Sequence, residues 1–174
     1  MELAGIETSR VKYGQIGQAL ELPGEIGFNE DRLAHIAPRF AGVAVQANYR
    51  VGDYVEKGDV VAIVESNESM NTYSIRAPIS GWVIDRHITQ GEFVSEQSSI
   101  FIIADLSTVW VNLAVYPKDA ARIHKGQSAI IKAVGSDNIA SGEIEYVTPI
   151  IDFRTRSATA RVVMPNPDNK WPPG

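Results

Sequence analysis

The sequence predicts a mostly β protein, and two observations support that prediction. Apolar residues recur with a period of two, as in residues 109–116, where Val, Val, Leu and Val alternate with Trp, Asn, Ala and Tyr. That spacing is typical of half-buried strands. In addition, residues 35–64 and 75–104 carry the same pattern of glycines, acidic residues and valines. A repeat of this length indicates two copies of one unit that bury their apolar faces together.

The two copies are related by a shift of 39 residues. Each reads Ala-Pro, Gly, a short strand, Gly-acidic-x-Val and an apolar strand, which predicts a small β-sandwich with approximate twofold symmetry. The superposed positions are Gly42 and Gly81, Gly52 and Gly91, Asp53 and Glu92, Val55 and Val94, and Ala37-Pro38 and Ala77-Pro78 after a one-residue adjustment.

The remaining sequence predicts a second, smaller β domain. Residues 105–174 lack the repeat, and a strand-like piece within residues 15–32 has no partner in it, so we expect that piece to cross over and join residues 105–174. Residues 117–127 predict one short helix, which begins at a proline and stops at Gly126. The tail MPNPDNKWPPG is not expected to end as a packed element, which would leave Trp171 exposed.

The amino-acid composition and motif content argue against several classes of function. The net charge is -5, from 21 acidic and 16 basic side chains, and no cluster of Lys or Arg is dense enough to neutralise phosphates, which argues against a nucleic-acid partner. The absence of cysteine excludes disulfides, thiolate zinc sites and a cysteine nucleophile. We also predict no enzymatic activity and no catalytic residues, because no histidine lies in a nucleophile or acid–base motif.

Four stretches carry a resemblance to a known family. They are PGEIGFNEDRLAHIAPRFAG (23–42), IRAPISGWVIDRHITQGEFV (75–94), ADLSTVWVNLAVYPKDAARIHKGQSAII (104–131) and VTPIIDFRTRSATARVVMPNPDNKWPPG (147–174). The paired halves resemble the half-motifs of biotinyl and lipoyl domains, and the fuller match is to the HlyD-like membrane-fusion family, the periplasmic adaptors of tripartite efflux pumps. Its heavy-metal branch, of the cobalt–zinc–cadmium or copper type, is the most similar.

The resemblance implies a fold and a domain organisation. Residues 33–104 would form the lipoyl-like domain, residues 15–32 and 105–174 a small β-barrel, complete or lacking its closing strand, and residues 1–14 a remnant of an N-terminal membrane-proximal segment. In the family a further barrel strand and a membrane-proximal domain follow the Pro-Gly found here at 173–174, so we expect a C-terminally truncated chain.

The resemblance also implies a function. The protein would be periplasmic, associated with the inner membrane in its full-length form, and would link an inner-membrane resistance–nodulation–division (RND) transporter to a TolC-type outer-membrane channel. The cargo would be a heavy-metal cation, and a trimer or hexamer is expected. A metal-binding β-rich module or metallochaperone remains an alternative.

Possible metal ligands and a possible cofactor-attachment lysine can each be sought in the sequence. No resident cofactor is expected, only a transient Zn, Cu, Co or Cd ion. The methionines are far apart and no two histidines have ligand spacing, so His124 and His87 are candidate contributors rather than a site. A biotin or lipoate carrier needs a lysine at the joint between its halves, and the joint ESNESMNTYS (65–74) has none.

The joint is also too short for a helical hairpin like the one that many relatives carry there, since two helices of three turns need about 22 residues. We favour a natural short loop over one made by removal of a hairpin, because no engineered linker interrupts it. If the protein docks to a channel, we predict that the contact uses Asn67, Glu68, Ser69 and Met70 of this loop, or another subunit.

Overall fold

The computed structural model describes residues 19–135 and 137–174. The predicted remnant at residues 1–14 lies outside this part of the chain. Within the described residues, thirteen strands form three antiparallel sheets, and three 3-10 turns lie at Glu30–Arg32, Ala120–Arg122 and Pro167–Asn169. The strands are β1 Gly24–Phe28, β2 Leu33–Ile36, β3 Gly42–Ala47, β4 Tyr54–Val55, β5 Val60–Ser66, β6 Thr72–Arg76, β7 Gly81–Arg86, β8 Phe93–Val94, β9 Phe101–Ala104, β10 Thr108–Val115, β11 Ser128–Lys132, β12 Ile139–Val147 and β13 Ala158–Pro165. The predicted mostly β fold is confirmed.

Strands β2 to β9 form two four-stranded sheets, which we call the sandwich. Their strand orders are β2-β9-β7-β4 and β6-β5-β3-β8. The first copy of the repeat supplies β2 to β5 and the second supplies β6 to β9, so each sheet contains strands from both copies. Strand β4 pairs with β7, and β8 pairs with β3. The two copies are therefore interlocked, and neither sheet can form from one copy alone.

The symmetry of the sandwich extends to its irregularities. The register between β3 and β5 shifts between Ala44 and Gln46, and that between β7 and β9 shifts 39 residues later, between Val83 and Asp85. The Gly52 N–H donates to the Val83 carbonyl, and the equivalent Gly91 N–H donates to the Ala44 carbonyl. Both glycines have positive φ, which explains why glycine stands at these turns.

One detail of the predicted repeat is wrong. The shift of 39 continues through the start of each copy, because Ile36 and Ile75 are both buried at equivalent places and Pro38 and Ala77 follow them, both buried. The one-residue adjustment that matched the two Ala-Pro pairs is therefore not present.

The sandwich core is aliphatic and closed. Strands β5 and β9 run through the centres of the two sheets, and their inward residues are fully buried. The largest of these side chains is Phe101, with no exposed surface. Other fully buried members include Val55, Val61, Val64, Val83, Ile100 and Ile103.

The remaining strands form one open five-stranded sheet, which we call the barrel sheet. Its order is β1-β10-β13-β12-β11. Strand β1 precedes the sandwich in sequence but pairs with β10, which follows it, so the chain enters and leaves the sandwich at one junction. Arg32 and Asp105 form an ion pair at this junction, with 2.5 Å between Arg32 Nη1 and Asp105 Oδ2. The apolar face of the barrel sheet forms a core that includes Val109, Val162, Met164 and, from the tail, Trp171.

The predicted helix over residues 117–127 is reduced to the 3-10 turn Ala120–Arg122. The Gln127 side chain accepts from the His124 N–H and donates to the Arg122 carbonyl, which folds the second half of the segment into a turn. An isolated helix of eleven residues is marginal in water. Local side-chain to backbone bonds therefore prevail over the weak helix signals.

The prediction for the tail is also wrong, because Trp171 is only 5% exposed. Asn166 fixes the tail: its amide donates to the Leu106 carbonyl, and its side-chain oxygen accepts from the Trp171 N–H. The Gly174 N–H then donates to the Ile26 carbonyl on β1. Trp171 thereby joins the core of the barrel sheet.

Candidate functional site

The joint between the two copies is a compact loop at one end of the sandwich. Strand β5 continues to Ser66 and β6 begins at Thr72, so only residues 67–71 remain outside the strands. The buried Ser66 organises the loop: its carbonyl accepts from the Met70 N–H, its N–H donates to the Asn71 carbonyl, and its hydroxyl accepts from the Glu68 N–H. A short polar loop is therefore built by the strand end itself.

The four predicted docking residues are exposed on this loop. Met70 has 74% of its surface exposed and a positive φ of 56°, so the loop presents it outward from a tight turn. The Asn67 N–H donates to the Ala41 carbonyl, which ties the loop to the segment before β3. The structure places Asn67, Glu68, Ser69 and Met70 together on one surface, and whether that surface docks remains a prediction.

An aromatic pair that the sequence did not reveal lies beside the loop. The Phe40 and Tyr73 rings are 5.9 Å apart in an edge-to-face arrangement, and the Tyr73 hydroxyl bonds to the backbone of Phe40. The Arg39 guanidinium lies over the Phe40 ring at 5.6 Å. The two aromatic residues are 33 positions apart in sequence, so no local motif could join them.

The lysine and histidine candidates are dispersed. Lys57, the nearest lysine to the joint, is exposed after β4, where its N–H donates to the Ser80 hydroxyl. His87 Nε2 lies 2.8 Å from Asp85 Oδ2 at the end of β7 in the sandwich, whereas His124 is on the β10–β11 connection of the barrel sheet. Across residues 19–135 and 137–174, no three His, Cys, Asp or Glu side chains form a group that could hold a metal ion.

A second surface lies on the outer face of the barrel sheet, opposite its core. A cavity of about 480 Å³, which we call the outer groove, is lined by Asn112, Tyr146, Thr148, Ile150, Asp152, Ser157, Thr159 and Arg161. Asn112, Arg161 and Tyr146 are cross-strand neighbours on β10, β13 and β12. Their side chains come together through strand pairing, so no local sequence pattern could predict the groove.

The β12–β13 connection forms one wall of the groove, and its residues 150–156 are called the tip. The Asp152 carboxylate accepts from the N–H groups of Thr155 and Arg154, and these bonds hold the pKa of Asp152 below its usual range. Asp152 also bridges to Ser157 through the backbone, which closes the turn. The tip is thereby a defined structure whose Phe153 side chain is 94% exposed.

The fold defines a class of protein: a β-sandwich built from two interlocked copies of one unit, joined to an open five-stranded antiparallel sheet. Residues 32–105 match the family model of the CzcB-like barrel-sandwich hybrid domain, and residues 108–174 match that of the CusB-like β-barrel domain. The chain belongs to the HlyD-like membrane-fusion family, in its heavy-metal branch, as its sequence suggested. No helix in the described residues is both long and apolar enough to span a bilayer.

Individual relatives agree with this assignment. The chain is 27% identical over 240 residues to the cation efflux system protein CzcB of Alcaligenes sp. strain CT14, a match covering 98% of this chain and 46% of the relative. The same values hold for the cobalt-zinc-cadmium resistance protein CzcB of Cupriavidus metallidurans. The chain thus spans about half the length of the curated relatives it matches.

Solved structures share the fold. ZneB from Cupriavidus metallidurans superposes with a TM-score of 0.74 at 23% identity, covering 88% of this chain and 93% of that one. MacA from Actinobacillus actinomycetemcomitans gives a TM-score of 0.67 at 14% identity, covering 87% and 74%.

Proposed function

We propose that this chain is part of a periplasmic adaptor of a heavy-metal cation efflux system. The observation that carries the proposal is the order of the two domains, a CzcB-like barrel-sandwich hybrid followed by a CusB-like β-barrel, in a chain that aligns with CzcB over 98% of its length. The adaptor would be non-enzymatic, would associate with the inner membrane in its full-length form, and would work by holding a transporter and a channel in register.

The partners follow from the same assignment. An inner-membrane RND transporter would lie on one side and a TolC-type outer-membrane channel on the other, with the adaptor self-associating as a trimer or hexamer. The cation, Zn, Co, Cd or Cu, is cargo in this proposal and not a resident cofactor. The dispersed histidines support that view, since His87 and His124 lie in different domains.

The 67–70 loop is the proposed contact with the channel or with a neighbouring subunit. Its residues are exposed at the far end of the β5–β6 hairpin, and the five-residue connection holds them in place through Ser66. A loop this small can contribute a contact but cannot reach across a long distance. The exposed Phe40 beside it adds apolar area to the same surface.

The adaptor role is tested in the host by deleting the gene for the full-length protein and restoring it on a plasmid. We expect deletion to abolish growth on millimolar zinc, cobalt or cadmium, and wild-type protein to restore both growth and crosslinking to transporter and channel. Calorimetric titration of the 174-residue chain with Zn, Co, Cd and Cu(I) addresses the metallochaperone alternative. Tight stoichiometric binding, or full resistance without the gene, would contradict the proposal.

The loop is tested by replacing Asn67, Glu68, Ser69 and Met70 with alanine in the full-length protein. We expect reduced crosslinking to the channel and reduced resistance at unchanged protein level. The matched control is Glu96→Ala with Gln97→Ala, an exposed pair on a turn of the same domain. Equal behaviour of the two variants would remove the loop from the interface and leave the adaptor role standing.

A further inference from the structure

We propose that the outer groove of the barrel sheet binds an extended segment of a partner protein, through a carboxylate side chain placed on Arg161 and apolar neighbours placed on the tip. This site goes beyond the proposed adaptor role and uses residues of the barrel sheet, not those of the 67–70 loop.

Arg161 is the recognition group. Its guanidinium carbon lies 3.5 Å from the centroid of the Trp110 ring and 5.8 Å from that of Tyr146, so two aromatic side chains hold the planar cation. Stacking of this kind fixes the orientation of the guanidinium fork before a ligand arrives. A fixed fork matches a carboxylate with two parallel hydrogen bonds, which a lysine cannot do.

The hydrogen-bonding capacity of Arg161 is largely unused. Its bond within the described residues is one long contact of 3.4 Å from Nε to Asn112 Oδ1, and no carboxylate lies within ion-pair distance among residues 19–135 and 137–174. Asp152 lines the same cavity, but its carboxylate is engaged by two backbone N–H groups of the tip. A half-buried cation without an acid is unusual, because desolvated charges are ordinarily paired.

The tip supplies the apolar part of the surface. Phe153 is 94% exposed, Ile150 69% and Ile151 44%, all within four residues and beside the cavity. An ordered turn that presents large apolar side chains to solvent indicates a contact surface. Arg154 and Arg156 on the same turn extend the positive charge, so the favoured ligand combines acidic and apolar side chains.

A protein segment fits better than a membrane surface. Arg154 and Arg156 against Asp152 leave the tip an excess of one positive charge, whereas anionic lipid surfaces are typically bound by clusters of about 4–8 basic residues. The Thr159 hydroxyl and the Asn112 amide also line the groove, and they offer hydrogen-bond donors and acceptors to a peptide backbone.

The test is selection of random peptides on the 174-residue chain, with counter-selection on the Arg161→Gln variant, followed by fluorescence titration of the enriched peptide. We expect enrichment of Asp or Glu flanked by apolar residues. Replacing that acid by its amide, or Arg161→Gln, should each weaken binding about tenfold or more, since charge-assisted bidentate bonds are lost. Arg161→Lys should recover only part of the loss.

Two further variants distinguish a loss of binding from a loss of folding. Phe153→Ser changes a nearly fully exposed side chain, so it should keep the thermal midpoint of the wild type and weaken binding several-fold. Lys132→Gln removes an exposed charge on β11 of the same sheet and should leave binding unchanged. The proposal is overturned by peptides that bind Arg161→Gln equally well, by anionic vesicles that bind in their place, or by Arg161-dependent self-association in ultracentrifugation.

Discussion

The sandwich and the barrel sheet solve the same problem, burial of an apolar sheet face, in different ways. In the sandwich, two copies of one sequence exchange strands, so each copy completes the sheet of the other. The barrel sheet has no repeat: its described strands end at β1 and β11, and the Trp171 tail covers part of its core. Because the sandwich is symmetric, each residue type that its fold requires occurs at two equivalent positions in the sequence. In the barrel sheet, each such requirement occurs once and involves residues that are distant in sequence.

The largest expected effect comes from removing one large core side chain in each region. Phe101→Ala in the sandwich and Trp171→Ala in the barrel sheet should each lower the free energy of unfolding by about 3–5 kcal/mol, because both side chains are almost wholly buried. Hydrogen exchange resolved by residue should show the loss in one region only for each variant. Phe93→Ala, at a position 57% exposed, is the control with little expected effect. Equal loss in both regions for either variant would show that they unfold as one unit.

The next comparison uses glycines. A Cβ on Gly42 would lie 1.9 Å from the Glu65 carbonyl oxygen, and one on Gly81 would lie 2.4 Å from that of Ala104, so the clash recurs in both copies of the repeat. Alanine at either position should destabilise by about 1–3 kcal/mol, measured by urea denaturation. Gly27→Ala in the barrel sheet meets only an ordinary contact of 3.5 Å and should stay within about 0.5 kcal/mol of wild type. A neutral result at one of the symmetric pair alone would break the structural equivalence.

An effect of comparable size is expected at one of two asparagines. Asn166 is 2% exposed and bonds to both Leu106 and Trp171, so Asn166→Ala leaves buried groups unpaired and should cost about 1–3 kcal/mol. In the sandwich, the exposed Asn48 amide bonds to the Val60 carbonyl, and water can replace it in Asn48→Ala. The difference between the two variants in thermal midpoint therefore reports the greater burial of Asn166 together with its second side-chain hydrogen bond. Equal shifts would contradict the role given to Asn166 in fixing the tail.

The smallest effect concerns the junction between the two regions. Burial acts to raise the pKa of Asp105, but hydrogen bonds from Ser107 and Arg32 and the charge of Arg32 outweigh it and hold the pKa below its usual range. A carboxyl whose pKa is lowered in the folded state stabilises the fold above the unfolded value of about 3.9, and that contribution is lost as pH falls through the folded pKa. Asp105→Asn should therefore flatten the decline of the thermal midpoint below about pH 4. Parallel profiles for variant and wild type would remove Asp105 as a source of acid sensitivity.

The sequence by itself determined the repeat, and with it the interlocked sandwich. Glycines, valines and acidic residues recur at a constant shift of 39 because each meets a local conformational requirement, such as a positive φ at Gly52 and Gly91. Requirements of this local kind can be predicted from the sequence. The absence of lysine from the joint at residues 65–74 was also evident from the sequence alone, and it argued against a biotin or lipoate carrier. The same local reasoning failed for residues 117–127, because the Gln127 side chain folds that segment into a turn.

Only the tertiary structure decided the burial of Trp171 and the placement of Arg161. The first depends on Asn166, which joins the tail to the junction 60 residues earlier, and the second depends on strand pairing that brings Arg161 to Asn112 across 49 residues. Neither separation has a periodic signature, since the partners meet through sheet register and not through sequence spacing. The surfaces proposed for partner contact are therefore products of strand order, while the scaffold that carries them was readable in the repeat.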